Sequence, residues 1–206
     1  MSDYPLISAI MIIKDDVSLS KLEFVIRCFE SQTYPHKELV IVNNAKSQDA
    51  ASKVEIKSRK DVFIVDTPIH LTAGHARNYG IQHANGPIIA QFDYDCYHHP
   101  KRLESQLSTM INNNAKISVL SKCYKLYNQQ ITHMTNNANA ILNTMMFIRP
   151  KSIDYPETNK GEELVMLEKL LISGYHIISL DDISLVCKIL DKFDDTTVNT
   201  LIKNIQ

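Results

Sequence analysis

The amino-acid sequence predicts an α/β protein: a mostly parallel sheet flanked by helices, with a smaller mixed part in its second half. Three observations carry that expectation. From Leu6 to Phe92, short and almost continuously apolar runs alternate with longer stretches of helical periodicity. Runs that are apolar at nearly every position belong to strands covered on both faces, and strand–helix alternation at this spacing builds parallel sheets through crossover helices. The third observation is bulk. With 206 residues, 44% of them apolar, the chain is able to bury a sizeable core, and only 5 Gly and 7 Pro exclude a fibrous or disordered chain.

Leu6–Ile13 (LISAIMII) reads as the first buried strand. Ser18–Ser31 follows as a helix, because Leu22, Val25, Ile26 and Phe29 fall on one face. Lys37–Asn43 (KELVIVN) is the second strand, entered from the turn-forming Tyr34-Pro35. Gln48–Lys60 is polar and compatible with a helix, and Asp61–Asp66 (DVFIVD) is the third strand. Thr72–Ala84 is a helix stopped by Asn85-Gly86-Pro87, and Pro87–Phe92 (PIIAQF) is the fourth strand. Beyond Asp93 the regularity weakens. Pro100–Met110 is expected to be helical, Ile117–Tyr127 a strand, Thr132–Asn143 a loop and Met145–Ile148 a short strand. Gly161–Ser173 is an amphipathic helix with Leu164, Leu167, Leu170 and Leu171 on one stripe, and Tyr175–Leu180 returns as a strand. With no internal repeat and no linker-like tract, residues 1–206 are expected to form one domain, with halves 1–95 and 96–206.

Charge and cysteine usage narrow the classes of function. Lys plus Arg number 22 and Asp plus Glu 23, a formal charge of −1, which lacks the basic excess a nucleic-acid or anionic-membrane binder needs. Cys28, Cys96, Cys123 and Cys187 are scattered and complete no zinc set. A reduced, cytoplasmic protein is the expectation. The apolar run Leu6–Ile13 is too short to span a bilayer, and the N-terminus lacks the pattern of a signal peptide, so no transmembrane segment is expected.

In open α/β sheets, ligands bind beyond the C-terminal ends of the strands. The residues there are Lys14, Asp15 and Asp16, then Asn43 and Asn44, then Asp66, then Asp93, Tyr94 and Asp95. Carboxylates and amides therefore share one rim, suited to a metal and a hydroxyl-rich ligand. Asp93-Tyr94-Asp95 is the sharpest feature. Alternate residues of an extended segment point the same way, so both carboxylates are able to face a hard cation such as Mg²⁺ or Mn²⁺ that bridges to nucleotide phosphates. For an isolated D-x-D a solvated turn is the better explanation; its place directly after a buried strand reverses that preference.

Leu71–Leu107 closely resembles the central block of the family 2 glycosyltransferases. Ala76, Arg77, Asn78 and Gly80, then Asp93 and Asp95, then His99-Pro100 and Arg102-Leu103 follow that family's order and spacing. Ile7–Asp15, Gln32-Thr33-Tyr34-Pro35 with Lys37–Val42, and Tyr155-Pro156-Glu157 with Gly161-Glu162-Glu163 resemble further family segments. The resemblance implies a GT-A fold, a nucleotide-sugar donor (UDP-linked by preference), a divalent cofactor (Mn²⁺ or Mg²⁺) and an acceptor hydroxyl on a saccharide, glycoprotein or other molecule. It implies residues 1–95 as the donor-binding half and 96–206 as the acceptor side. Residue by residue, it implies that Asp95 holds the metal and that Asp93 shares it or reaches the ribose. Arg77 would lie near the base or diphosphate, with Tyr94 beside it on the donor rim. Asn44 and the Ile13–Lys14–Asp15 loop would line the nucleobase. Glu163 would be the general base, set across the site from Arg77 and the diphosphate.

The chain departs from the family pattern in four places. Ile12-Ile13-Lys14-Asp15 stands where a P-T-Y-N-like run is common, and Asn43-Asn44 stands where two aspartates are usual. Glu163 replaces the commoner Asp. Val186–Asp195 contains no late His, leaving Asp191 as the stand-in metal ligand. The bland readings are a solvated surface Arg77, a Glu162–Glu163 pair that only complements the helix dipole, and packing or loop roles for His98 and His99. Two other functions stay open. One is a phosphatase of the haloacid dehalogenase type, using Asp93 and Asp95 with Ser118 or Ser121, Lys122 and Asp181-Asp182. The other is a nucleotide-sugar-binding module without turnover.

Overall fold

The computed structural model describes residues 4–14, 17–46, 59–135 and 140–190. The first half follows the predicted alternation closely. Strand β1 (Ile7–Ile13) is buried along nearly its whole length, as its continuous apolar run requires. Helix α1 (Leu19–Glu30) begins where the Ser18 hydroxyl accepts from the Lys21 amide, and it buries Leu22, Val25, Ile26 and Phe29. Strands β2 (Lys37–Asn43) and β3 (Val62–Asp66) follow, then helix α2 (Ala73–His83), capped by Thr72. Strand β4 is Ile88–Gln91. Apart from Arg59 and Lys60, the helix expected over Gln48–Lys60 lies outside the described residues, as do Asp15 and Asp191.

The second half holds β5 (Cys96–His98), α3 (Arg102–Asn112), β6 (Ile117–Leu120), β7 (Lys122–Tyr127), β8 (Gln130–Thr135), β9 (Ile141–Ile148), α4 (Glu162–Ile172), β10 (Ile177–Leu180) and β11 (Val186–Ile189). The main sheet has seven strands in the order β10-β6-β9-β4-β1-β2-β3, and the second has four, β5-β11-β7-β8. In the main sheet, β1, β2, β3 and β4 pair in parallel, as do β6 and β10, while β9 runs antiparallel between β4 and β6. Helix α2 presses directly on the sheet. A Cβ on Gly80 would stand 2.7 Å from Ile10 Cγ2 and 2.8 Å from Val42 Cγ2, so only glycine permits this approach.

Several expectations for the second half are corrected. The segment Ile117–Tyr127 is not one strand: β6 and β7 belong to different sheets, separated at Ser121. Residues 132–143 are not one loop, because β8 and β9 reach into both ends. The β7–β8 hairpin closes on Asn128 (φ +50°) and Gln129 (φ +58°), a left-handed pair without the glycine that usually advertises such a turn. On α4 the buried line is Glu162, Met166, Leu167 and Leu170, whereas Leu164 is 50% and Leu171 41% exposed. The inward stripe therefore starts from a carboxylate, which hydrophobic periodicity does not reveal. The short strands β5 and β11 gave no periodic signal at all.

Candidate active site

Because β1 to β4 run parallel, their C-terminal ends meet on one rim, and the chain leaves each of them through polar residues. A cleft of about 220 Å³ opens there, lined by Ile12, Lys14, Ala73, Arg77, Asp93, Tyr94, Asp95, Asn159, Glu162 and Glu163. A larger cavity of about 420 Å³ is lined by Pro5, Pro87, Met110 and other residues that include no titratable side chain, so volume alone does not mark the chemistry.

Two asparagines organise the approach to α2. Asn44 is buried, and its amide is spent inside the protein. Its Nδ2 donates to the Leu71 carbonyl (2.9 Å), and its Oδ1 accepts from Leu71 N (2.8 Å) and Thr67 Oγ1 (3.2 Å). It pins the segment that delivers α2 to the rim. Asn78 does the same on the other side. Its Nδ2 donates to the Tyr155 carbonyl (2.9 Å) while its Oδ1 accepts from Tyr155 N (2.8 Å). The Gly74 amide donates to the Thr158 carbonyl and the Ala73 amide to Asn159 Oδ1, both at 3.0 Å. These latches tie the 155–159 loop to the start of α2 and thereby bring the first turn of α4 against Arg77.

Arg77 is buried and surrounded by carboxylates. Its Nη2 donates to Glu163 Oε1 at 2.8 Å, Nη1 stands 3.8 Å from Asp93 Oδ1, and Nε is 3.5 Å from Glu162 Oε1 without hydrogen-bond geometry. The Tyr155 ring lies beneath the guanidinium, 5.8 Å from its centroid. Glu163 and Arg77 are thus in direct contact, not on opposite sides of the site. Glu162 belongs to the same cluster and is 5% exposed, so it is more than a helix-opening carboxylate.

The acidic turn after β4 is held from behind. Arg102 is fully buried and, among the described residues, pairs with no carboxylate. It donates to His98 Nδ1 (2.7 Å), Gln106 Oε1 (3.1 Å) and the carbonyls of Gln91 (2.6 Å) and Thr144 (3.2 Å). Burial pulls its pKa down to about 10, which leaves it charged at neutral pH. Since Nδ1 of His98 accepts from Arg102, the ring proton sits on Nε2 and donates to the Asp93 carbonyl at 3.0 Å. Burial, and then Arg102, hold His98 neutral, and its ring stacks on Phe92 at 3.7 Å. His98 is therefore a packing and positioning residue, as expected. Asn143 Nδ2 donates to Asp93 Oδ2 at 3.2 Å.

Within ion-pair distance of one another, two cations (Arg77, Lys188) face four carboxylates (Asp93, Asp95, Glu162, Glu163). With Lys14 on the same lining, four carboxylates meet three cations, and the remaining negative charge in a half-buried cleft favours a divalent cation or protonation. Burial, reinforced by Asp93, raises the Asp95 pKa, with Lys188 opposing. Burial raises that of Glu163, with Arg77 opposing and Glu162 and Asp93 adding to the rise. The metal-capable group among the described residues is Asp93, Asp95 and Cys96, with ligand atoms within 4.8 Å of one another. The two carboxylates fit a hard cation. Burial pushes the Cys96 thiol well above its usual pKa, so it stays protonated, with Sγ 3.5 Å from Asp95 Oδ1 as a donor.

Of the residues singled out from sequence, Lys14, Arg77, Asp93, Tyr94, Asp95 and Glu163 line one cleft, whereas Ile13 is buried in β1 behind it. Sequence reasoning missed Asn143, Asn159 and Lys188. None of the three sits in a recognisable motif, and Lys188 lies on the unforeseen strand β11.

A mostly parallel sheet flanked by helices, as here, matches the structures of GT-A glycosyltransferases. The chain belongs to glycosyl transferase family 2, whose model matches residues 8–166. It is 28% identical over 148 residues to the Escherichia coli UDP-Glc:alpha-D-GlcNAc-diphosphoundecaprenol beta-1,3-glucosyltransferase WfgD, covering 70% of this chain and 53% of that protein. It is 31% identical over 115 residues to an uncharacterized glycosyltransferase of Methanocaldococcus jannaschii, covering 54% of this chain and 39% of that one. The chain thus spans about half or less of these relatives. Among solved structures, residues 1–349 of S. aureus TarS in complex with UDP superpose with a TM-score of 0.71 at 13% identity, covering 90% of this chain and 60% of that one. The mannosyltransferase PcManGT of Pyrobaculum calidifontis, in complex with GDP-Man and Mn²⁺, gives 0.68 at 14% identity, covering 91% and 57%. No helix among the described residues is long and apolar enough to cross a membrane.

Proposed function

We propose that the chain transfers a hexosyl group from a nucleoside-diphosphate sugar to an acceptor hydroxyl, with inversion and with the help of a divalent cation. The observation that carries this reading is the meeting of Arg77, Asp93 and Glu163 in one cleft, with Asp95 on the same lining. Glu163 is the general base. Its raised pKa makes it a stronger proton acceptor than an ordinary glutamate, and Arg77 fixes which oxygen is turned toward the acceptor. As the acceptor oxygen bonds to the anomeric carbon, its proton passes to Glu163. The bond from that carbon to the diphosphate breaks, and the diphosphate leaves with the electron pair. A single displacement of this kind inverts the anomeric centre.

Asp95 and Asp93 would hold Mn²⁺ or Mg²⁺, with Asp191 a further candidate ligand. When bound, such an ion offsets the charge growing on the leaving diphosphate. Lys14, Tyr94, Asp15 and the end of β1 at Ile13 would form the donor side. Asn44 would act there as a support, since its bonds to Leu71 and Thr67 hold the segment that leads into α2. UDP is the preferred nucleotide, supported by the UDP-Glc specificity in the E. coli relative's name and by TarS complexes with UDP and UDP-GlcNAc. The GDP-Man complex of PcManGT makes GDP the comparison. Because β9 completes one sheet between β4 and β6, residues 1–206 are read as one GT-A unit. Four free, buried cysteines suit a reducing compartment such as the cytoplasm.

The phosphatase alternative loses its support. Lys122 pairs with Asp181 at 2.9 Å, and neither they nor Ser118 and Ser121 line the cleft. The test is calorimetric titration with UDP and GDP, with and without Mn²⁺, followed by donor hydrolysis. UDP binding that Mn²⁺ strengthens, with slow release of sugar, is expected. Binding without any turnover would indicate the non-catalytic module, and absence of binding would overturn the reading.

A further inference from the structure

Asp95 does not face the cleft alone. Strand β11 lies between β5 and β7, with Lys188 in register opposite Cys96, and the Ile189 amide donates to the Asp95 carbonyl at 2.8 Å. Main-chain pairing therefore sets Lys188 beside the acidic turn. Its Nζ stands 3.7 Å from Asp95 Oδ2, and the two side chains are 31% and 29% exposed. The other oxygen, Oδ1, faces the Cys96 thiol at 3.5 Å. Asp93, the other carboxylate of the turn, has Arg77 Nη1 at 3.8 Å, so Lys188 is the cation on the Asp95 side of the turn.

Resting on the glycosyltransferase reading above, we infer that Lys188 is the resident counter-cation of the Asp93–Asp95 turn, weakening the empty turn's hold on a divalent ion and strengthening its hold on the donor's diphosphate. Two physical points lead there. A fixed ammonium beside a carboxylate pair repels a second cation, and partial burial keeps solvent from screening that repulsion as it would on an open surface. The same ammonium is a compact charge with three donors on a flexible stem, which suits phosphate oxygens without demanding bidentate geometry. Donor and metal then meet a cation already in place. A purely structural lysine would shift both affinities in one direction or in neither; a counter-cation shifts them oppositely.

The test is Lys188→Met in the full chain. Mn²⁺ alone is titrated onto the nucleotide-free protein by electron paramagnetic resonance, and UDP is titrated in the presence of EDTA by calorimetry. The expected result is Mn²⁺ affinity about tenfold tighter than wild type and metal-free UDP affinity about tenfold weaker. Lys188→Arg, which keeps the charge, should stay near wild type in both. Should Lys188→Met lose its far-UV spectrum, Lys188→Gln is measured in its place. Mn²⁺ affinity unchanged or weaker in the neutral variant overturns the inference, as does unchanged metal-free UDP binding, or a wild type that binds UDP only when Mn²⁺ is present. A wild type that binds neither UDP nor GDP under any condition overturns the proposed function instead. The Mn²⁺ titrations still decide the effect of Lys188 on the metal.

Discussion

Glu162 and Glu163 are adjacent, share Arg77, and are expected to behave differently when neutralised. Glu163→Gln removes the proton acceptor while keeping the hydrogen bond from Arg77, so turnover should fall by roughly a hundredfold or more with donor affinity little changed. Glu162→Gln should leave turnover within about a fewfold, because its side chain is buried and its carboxylate stands 3.5 Å from Arg77 Nε without a hydrogen bond to it. Steady-state kinetics of both variants check this, and a dead Glu162→Gln with a normal Glu163→Gln would exchange the roles.

The same cluster makes a pH prediction. The carboxyls of Glu163 and Asp95 have folded pKa values above their ordinary 4.5 and 3.8. A raised folded pKa means the native state binds the proton more tightly than the unfolded chain. That stabilisation is complete below the ordinary value and is lost as pH rises through the folded one. The metal-free protein should therefore be less stable at pH 7 than at about pH 5. Urea unfolding at the two values measures it, and the difference should shrink in a Glu163→Gln variant. The limit on the acid side is Glu38. Despite burial, bonds from Asn85, Ser8 and Gly86 hold its carboxyl below the usual value, and that contribution disappears as pH falls further.

Among the elements, α2 has the least tolerance. Gly80→Ala would set a methyl group against Ile10 and Val42, lifting the helix that carries Arg77 and Asn78. A loss of about 1–3 kcal/mol in urea unfolding is expected, with donor affinity falling further than stability alone explains, since the whole Arg77 face moves. An unchanged unfolding midpoint would mean that α2 is free to shift without cost. Element identity in this half was readable because strand and helix periods are local properties of seven to twelve residues. In the structure, Ser18 and Thr72 cap the two helices of this half that are described. In the second half the signals fail for physical reasons that differ by element. β5 and β11 are too short for any period, and β8 is an edge strand with both faces half exposed. β9 is an antiparallel strand inside a buried sheet, and reads like a parallel one.

For the molecule as a whole, stability and ligand binding are coupled through the rim. A nucleotide that binds only the native state adds about 2.7 kcal/mol at a hundredfold excess over its Kd. UDP with Mn²⁺ should raise the melting temperature by several degrees. Asp95→Asn should abolish the Mn²⁺-dependent part while melting, without ligand, no lower than wild type, because the half-buried carboxylate it neutralises is already costly. An Asp95→Asn protein that keeps the full Mn²⁺-dependent shift would remove Asp95 from the metal site.

The α/β class and the polar rim were legible in the chain from local periods and strand ends, and the family from a resemblance carried by contiguous motifs; those motifs singled out Arg77, Asp93, Asp95 and Glu163, which line one cleft. The partners of those residues were not legible. Arg77 and Glu163 are joined across a separation of 86 residues, and Asn78 holds a loop 77 positions away. Lys188 reaches Asp95 only because β11 happens to pair with β5 and β7. Such meetings depend on which strands share a sheet and in what register, information spread over the whole chain. The fold therefore decided that Glu163 and Arg77 touch, that Glu162 joins them, and that the acidic turn carries its own cation.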